Sequence, residues 1–249
     1  MVNDMANLIV DEGNTLCKIA VMKENEVLCE VSAQAFDMVA AAQLIEQFSV
    51  DRAIVASTRG GAETICCELR SKIDRVLHFS SQIDVPIGIE YSSPQTLGAD
   101  RIAAAVGVVC GMGIEDALVV DMGSAITFDI IENGVFKGGN ISLGVAMRYR
   151  ALHEFTNALP LCCATEPNGE FGKSTTEAIE QGVMQGVLYE IEGYVERFFA
   201  KNDKKNIIFC GGDAESFVNR IKNAIFAPRK LMFTGLNIIL EHNVSKGNI

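Results

Sequence analysis

The sequence has no Cys-x-x-Cys pair, no Cys/His cluster at zinc spacing, no long apolar run and no excess of basic residues. Each absence removes a class of protein. Without metal-ligand spacing, the eight cysteines do not read as a zinc or dithiol redox site. No stretch reaches the ~18 apolar residues of a membrane-spanning helix. The short polar segment before Leu8 lacks the apolar core of a secretory leader. The cysteines are therefore expected to be reduced, in the cytoplasm and free of disulfides. The adjacent pairs Cys66, Cys67 and Cys162, Cys163 are read as small core residues on apolar helix faces. Lys and Arg number 21 against 32 Asp and Glu, a net charge of −11 at pH 7. That balance argues against non-specific nucleic-acid binding and against an anionic membrane surface. It leaves room for an anionic ligand, because backbone donors bind phosphate even against a negative background.

What is present is a motif that occurs twice. Residues 8–14 read Leu-Ile-Val-Asp-Glu-Gly-Asn, and residues 118–124 read Leu-Val-Val-Asp-Met-Gly-Ser. Asp11 corresponds to Asp121 and Gly13 to Gly123, both at an offset of 110. Three apolar residues suit a buried strand. The Asp places a carboxylate where the strand leaves the core, and the Gly lets a ligand approach the backbone. The small polar residues that follow present free N–H groups. Such a turn suits phosphate oxygens and the hard cation that accompanies them. A single copy would read as an ordinary hairpin turn. Two copies in matched contexts predict two similar half-molecules facing one ligand. At 249 residues the chain has room for two domains of roughly 110–140 residues.

In chain order, strands are expected at 8–11, 16–22 and 27–33, then a helix over 38–48 capped by Asp37. A strand at 53–56, a polar loop at 57–61, a helix at 63–73 and a strand at 75–79 complete a mixed sheet with helices on it. Residues 80–97 read as loop. Gly98, Ala99, Asp100 and Arg101 then open a buried helix over 102–110. Either Asp100 caps that helix while Arg101 pairs with a carboxylate, or the two meet a polar ligand at the helix's positive end. The domain boundary is placed near residues 111–113, giving domains at 1–112 and 113–249. Strands at 117–121, 125–131 and 134–137 follow, with a hairpin turn at Asn133 and Gly134. Residues 138–144, Gly-Gly-Asn-Ile-Ser-Leu-Gly, read as a glycine-rich loop before a helix over 145–158, and 159–173 as irregular. Ser174 and Glu177 form a capping box for a helix to residue 199. Gly182 and Gly186 on that helix mark either a close approach by another element, such as a partner subunit, or simple tolerance of glycine in a long helix. A strand at 206–210 runs into a glycine-rich turn at 211–214, a further nucleotide contact, and a helix over 231–241 closes the chain.

Two Asp-x-Gly turns in a duplicated mixed α/β chain resemble the acetate kinase/sugar kinase/Hsp70/actin superfamily. Within it the chain is similar to the type III pantothenate kinases over nearly its whole length. The matching segments are residues 11–15 (Asp-x-Gly-Asn-Thr), Tyr91 with Pro94 and the Gly-x-Asp-Arg of 98–101, residues 121–129, 138–144, 173–175 and 211–214. Ser124 stands for the usual Thr and keeps its hydroxyl, Leu143 stands for Pro, a lost turn constraint expected to loosen that loop, and Glu12 stands for an apolar residue, adding charge beside the phosphate turn.

The resemblance implies two ribonuclease H-like domains around a nucleotide cleft and ATP-dependent phosphorylation of pantothenate. It implies Asp100 as proton acceptor, with Tyr91, Gly98, Ala99, Arg101 and Thr175 around pantothenate. It implies ATP contacts at Asp11, Glu12, Gly13, Asn14, Thr15, Leu16, Cys17, Lys18 and Ser124. Mg²⁺ would be bound at Asp11 through the phosphates, and K⁺ or NH₄⁺ at Asp121. The family's homodimer suits the glycine-bearing helix. Two other readings are a sister small-molecule kinase and a non-catalytic regulator like the Bvg accessory factors; retention of Asp11, Asp100 and Asp121 argues against lost catalysis.

Overall fold

The structure, a computed structural model, describes residues 5–165, 171–200, 206–222, 224–227 and 230–249. The chain divides into two compact units, one of Met1–Glu115, Ile131–Gly138 and Lys230–Ile249, the other of Asp116–Ile130 and Gly139–Arg229. A boundary at 112/113 lies close to the first of these divisions. The hairpin tip and the last helix return to the first unit.

The first unit begins with β1 (Ala6–Glu12), β2 (Cys17–Lys23), β3 (Glu26–Ala33), α1 (Met38–Phe48), β4 (Val50–Ser57), α2 (Ala62–Leu69) and β5 (Arg75–His78). Their sheet order is β3-β2-β1-β4-β5. The first three strands pair antiparallel, while β1, β4 and β5 are parallel. Leu8, Ile9 and Val10 have no exposed surface, as a central strand covered on both faces requires. Alternation then sorts the side chains. Leu8, Val10, Cys17, Ile19 and Val21 pack with residues of α1 and α2, so Glu12 falls on their face and Asp11 on the opposite one. Asp37 caps α1 by accepting from the N–H groups of Val39 and Ala40, a contact that stabilises by about 1 kcal/mol.

The stretch expected to be loop contains a two-residue strand, β6 (Gly88–Ile89), and a 3₁₀ turn at Pro94–Thr96. Helix α3 (Ala99–Val106) starts three residues before the expected 102, so Asp100 and Arg101 lie inside its first turn. It widens into a π turn at Gly107–Gly111.

The rest of the chain forms β7 (Ala117–Met122), β8 (Ala125–Glu132), β9 (Val135–Leu143), α4 (Val145–Glu154), α5 (Thr175–Phe199), β10 (Asn206–Cys210), α6 (Glu215–Val218), β11 (Ala224–Phe226) and α7 (Leu231–Ser245). The second sheet has the order β11-β10-β7-β8-β9-β6. With β7 to β11 in the places of β1 to β5, this is the first sheet's order with β6 added at one edge. The duplication inferred from two short motifs therefore extends to the whole strand order. Both units are ribonuclease H-like, and Asp11 and Asp121 end topologically equivalent strands.

Three expectations change. Residues 138–144 are not a loop: β9 continues through Leu143, with Gly138 in it at φ 111°. A glycine-rich string can remain extended when its neighbours supply strand pairing. Leu143 is not loosened by the lost proline, because Arg148 Nε donates to its carbonyl at 2.9 Å. The paired cysteines are not all core residues: Cys66 and Cys162 are buried while Cys67 and Cys163 are exposed, and the second pair lies outside any helix. All eight are free thiols. Of the irregular stretch expected over 159–173, residues 166–170 lie outside the described residues.

Helices α3 and α7 pack through glycine in both directions. A Cβ on Gly235 would lie 1.8 Å from the Ala103 carbonyl oxygen, and one on Gly107 would lie 2.6 Å from that of Leu231. No side chain fits at either place, and this close crossing holds the last helix to the helix that carries Asp100 in its first turn.

Candidate active site

Asp11 stands at the end of β1, opposite Lys18 of β2. The turn between them closes when the Gly13 N–H donates to the Leu16 carbonyl at 3.0 Å. Asp11 is half-buried. Burial pushes its carboxyl up to about 6; Lys18 pulls it down, and the charge of Asp100 pushes it up again. Two carboxylates from distant parts of the sequence thus share one electrostatic neighbourhood with the Lys18 ammonium. A desolvated acid of this kind is a common feature of functional sites, and it suits an added cation.

Glu12 does not add its charge beside the turn. Its carboxylate accepts from Ser57 Oγ at 2.6 Å, and its oxygen would lie 2.7 Å from a Cβ on Gly61. It sits under the loop after β4 because strand alternation sends it away from Asp11. Cys17 likewise turns inward, 1% exposed; burial lifts its thiol to about 11, with Glu12 and Asp11 adding to the rise and Arg59 opposing it. Within residues 11–18, then, Glu12 and Cys17 can offer a ligand only backbone. Asn14, Thr15 and Leu16 are exposed.

Arg59 carries no local sequence signal. From the loop after β4 it donates to the Asn14 carbonyl at 2.9 Å and to the Gln34 carbonyl at 2.7 Å. It pins the phosphate-type turn from the side and brings a second positive charge to it. Its signal was topological: this loop after β4 is the counterpart of residues 211–213 after β10.

Asp100 is the second residue of α3, and its Oδ1 accepts from the Arg101 N–H at 2.9 Å. The carboxylate folds back over Gly98, where a Cβ would lie 2.4 Å from Oδ1. Ala99 is the first residue of the helix. Arg101 is 6% exposed. Its guanidinium carbon lies 5.8 Å from the Tyr91 ring centre and 5.5 Å from that of Phe136. The first unit therefore brings together Asp11, Lys18 and Asp100, and sets Tyr91 against Arg101.

In the second unit, Asp121 ends β7 opposite Cys210 of β10. The Cys210 thiol hydrogen-bonds the Asp121 carboxylate. Burial raises that thiol well above its usual range, and the charges of Asp121 and Asp129 add to the effect. Gly211, at φ 91°, carries no side chain where a Cβ would meet Asp121 Oδ1 at 2.5 Å. The turn at Gly123 and Ser124 rests on Gly144, whose N–H donates to the Ser124 carbonyl at 3.2 Å. Any Cβ at 144 would lie 2.4 Å from the Gly123 and Ser124 carbonyl oxygens. Thr175 opens α5 after the N-cap Ser174, whose Oγ accepts from the Glu177 N–H at 3.3 Å. Glu177 reaches back to the Lys173 N–H at 2.7 Å, one residue earlier than a standard capping box. Thr175 lines an 830 Å³ groove with Leu143, Leu152, Phe155, Ile179 and Gly182. Nothing within 4 Å would meet a Cβ on Gly182, Gly186 or Gly193.

Among the described residues no three His, Cys, Asp or Glu side chains gather as a metal cage. A cation at Asp11 or Asp121 would draw its other ligands from phosphate, carbonyl or water oxygens, which suits hard ions. Among the described residues no helix is long and apolar enough to cross a membrane.

Two ribonuclease H-like units, each ending its first strand in Asp-x-Gly, define the actin-like ATPase and sugar-kinase class. The family model described as type III pantothenate kinase matches residues 7–197, and the chain belongs to that family. A relative of that name from Bacteroides fragilis (strain YCH46) is 38% identical over 240 residues, covering 95% of this chain and 98% of the relative. Another, from Azobacteroides pseudotrichonymphae genomovar. CFP2, is 35% identical over 237 residues, covering 94% and 95%. Among solved structures, a Campylobacter jejuni protein described as a Baf-family transcriptional activator superposes with a TM-score of 0.64, at 24% identity over 96% of this chain and 99% of that one. That likeness speaks for the fold alone.

Proposed function

We propose that this protein transfers the γ-phosphoryl group of ATP to the primary hydroxyl of pantothenate, the first committed step of coenzyme A synthesis. The observation that carries the reading, beside family membership, is the charge coupling of Asp11 and Asp100 next to an arginine held by aromatic rings. Phosphoryl transfer asks a protein mainly for positioning and charge neutralisation. The hydroxyl oxygen attacks the γ-phosphorus, the bond to the bridging oxygen breaks, and ADP leaves. Asp100 accepts the hydroxyl proton and holds the nucleophile in line. Arg101 and Tyr91, with the backbone of Gly98 and Ala99, bind pantothenate, and Lys18 with the 13–16 turn binds ATP; the family resemblance alone assigns Thr175 to pantothenate and Ser124 to ATP. Mg²⁺ bound with the phosphates near Asp11 would supply neutralisation of the charge that develops there. A monovalent cation, K⁺ or NH₄⁺, belongs at Asp121. The protein works in the cytoplasm as a homodimer. The exposed apolar side chains Phe155 and Leu143 beside the open Gly182 support an interface on that face.

The test is ADP release by the purified protein with Mg²⁺ and ATP, with and without pantothenate, in K⁺ and in Na⁺. Pantothenate-dependent turnover favoured by K⁺ is expected. No pantothenate dependence would overturn the kinase reading, and equal rates in the two salts would overturn the cation assignment.

A further inference from the structure

The proposed function accounts for Arg101 and Tyr91 but not for what holds them. Arg101 is almost wholly buried on the first turn of α3, and a buried cation needs compensation. Part of that compensation is aromatic: both ring centres lie within the ~6 Å over which a guanidinium is attracted to a π face. The two rings contact each other edge-on, with centres 6.1 Å apart and planes at 62°. Phe136 has no exposed surface. A ring face attracts the guanidinium and so helps to fix the plane in which it lies.

The strand that carries Phe136 is fitted to the same purpose. Phe136 of β9 lies opposite Ile89 of β6. Its carbonyl accepts from the Glu90 N–H at 2.9 Å, and Lys137 bonds the Glu90 carboxylate at 2.7 Å. These contacts fix the segment that ends in Tyr91. Gly138 comes next, at φ 111°, and a Cβ there would sit 3.6 and 3.7 Å from two carbons of the Tyr91 ring. Its backbone conformation is one that other residues rarely adopt. Three consecutive residues thus serve one end: a ring against Arg101, a cation on Glu90, and beside the Tyr91 ring a backbone conformation that glycine alone adopts readily.

We propose that Phe136 and Gly138 are positioning residues of the substrate site, Phe136 orienting the Arg101 guanidinium and Gly138 seating the Tyr91 ring. The proposal rests on the reading that Arg101 and Tyr91 bind pantothenate. Both residues act through those two side chains rather than by touching the reacting atoms.

The test keeps volume and changes only the ring's charge distribution. Mono-, di- and trifluorophenylalanine are placed at position 136, and KM is measured separately for each substrate. The KM for pantothenate rises stepwise with each fluorine, by roughly fivefold at the third, while the KM for ATP and kcat hold within about twofold. A flat pantothenate KM across the series would overturn the proposal for Phe136, as would an equal rise in the KM for ATP. Gly138→Ala tests the second residue: a weakened pantothenate KM with an intact ATP KM is expected, and an unchanged pantothenate KM would overturn it. Failure of the function reading itself shows differently, as absence of pantothenate turnover and of calorimetric pantothenate binding in the unmodified protein.

Discussion

Asp100, at the start of α3, raises the pKa of Asp11, at the end of β1, although the two belong to elements far apart in the chain. Strand alternation puts Asp11 on the sheet face away from α1 and α2, and Gly98 allows the Asp100 carboxylate to fold back. Both details are needed for the two charges to meet.

Stability depends on pH through this pair. The folded Asp11 carboxyl titrates at about 6 against an ordinary 3.8, so the native state holds its proton more tightly than the unfolded chain. Its contribution to stability is fully present below pH 4 and is lost as pH rises through 6. The loss is on the order of 3 kcal/mol at most. Asp11→Asn is therefore expected to be more stable than the unchanged protein at pH 8 and close to it at pH 4. Urea midpoints at the two values check this.

Asp100→Asn should lose about 10²–10⁴-fold in turnover while ATP still binds. Removing the neighbouring charge also lowers the pKa of Asp11, so the pH-dependent loss of stability shifts to lower pH. Coupled ADP assays, ATP calorimetry and denaturation against pH measure the three effects. Full activity in the variant would remove Asp100 from the chemistry.

Arg59→Ala frees the Asn14 carbonyl and the edge of the phosphate turn. A charged donor's hydrogen bond contributes about 1.5–3 kcal/mol at most, and this one is exposed. The expected rise in the KM for ATP is therefore modest, roughly three- to tenfold, with pantothenate KM unchanged. Arg59→Lys, able to reach one carbonyl but not to bridge two, should fall between. Steady-state kinetics with each substrate varied in turn decides the point.

Gly182→Arg places a long charged side chain in the open face of α5, where nothing within 4 Å would resist it inside one chain. The variant should fold yet sediment as a monomer, where the unchanged protein is expected to sediment as a dimer. Analytical ultracentrifugation at micromolar concentration reads this directly.

The strand order was legible because two Asp-x-Gly motifs and the apolar runs before them repeat at one spacing. Helix α1 was legible to the residue, since Asp37 is followed by an amphipathic run and caps it as expected. Local composition misled at residues 138–144, where glycines read as a loop but the chain runs on as β9, next to β8 in the sheet. Glu12 looked like a charge at the turn because its place in the motif says nothing of which sheet face it takes until the register with Cys17 is known. Arg59 and Phe136 were missed for a shared reason: each meets its partners across a parallel pairing of distant strands, and neither leaves a local pattern. The domains expected at 1–112 and 113–249 followed chain order, whereas glycine packing returns α7 to the first unit.

That return has a consequence for the order of biosynthesis. Every strand of the second unit is made before Lys230, so it can be completed while the first still lacks α7. The surface of α3 that accepts Gly235 stays uncovered on the ribosome until residues 231–245 emerge. Domains usually fold in the order they are made; here the unit begun first is completed after the second, and the helix bearing Asp100 gains its packing partner only once the whole second unit has been made.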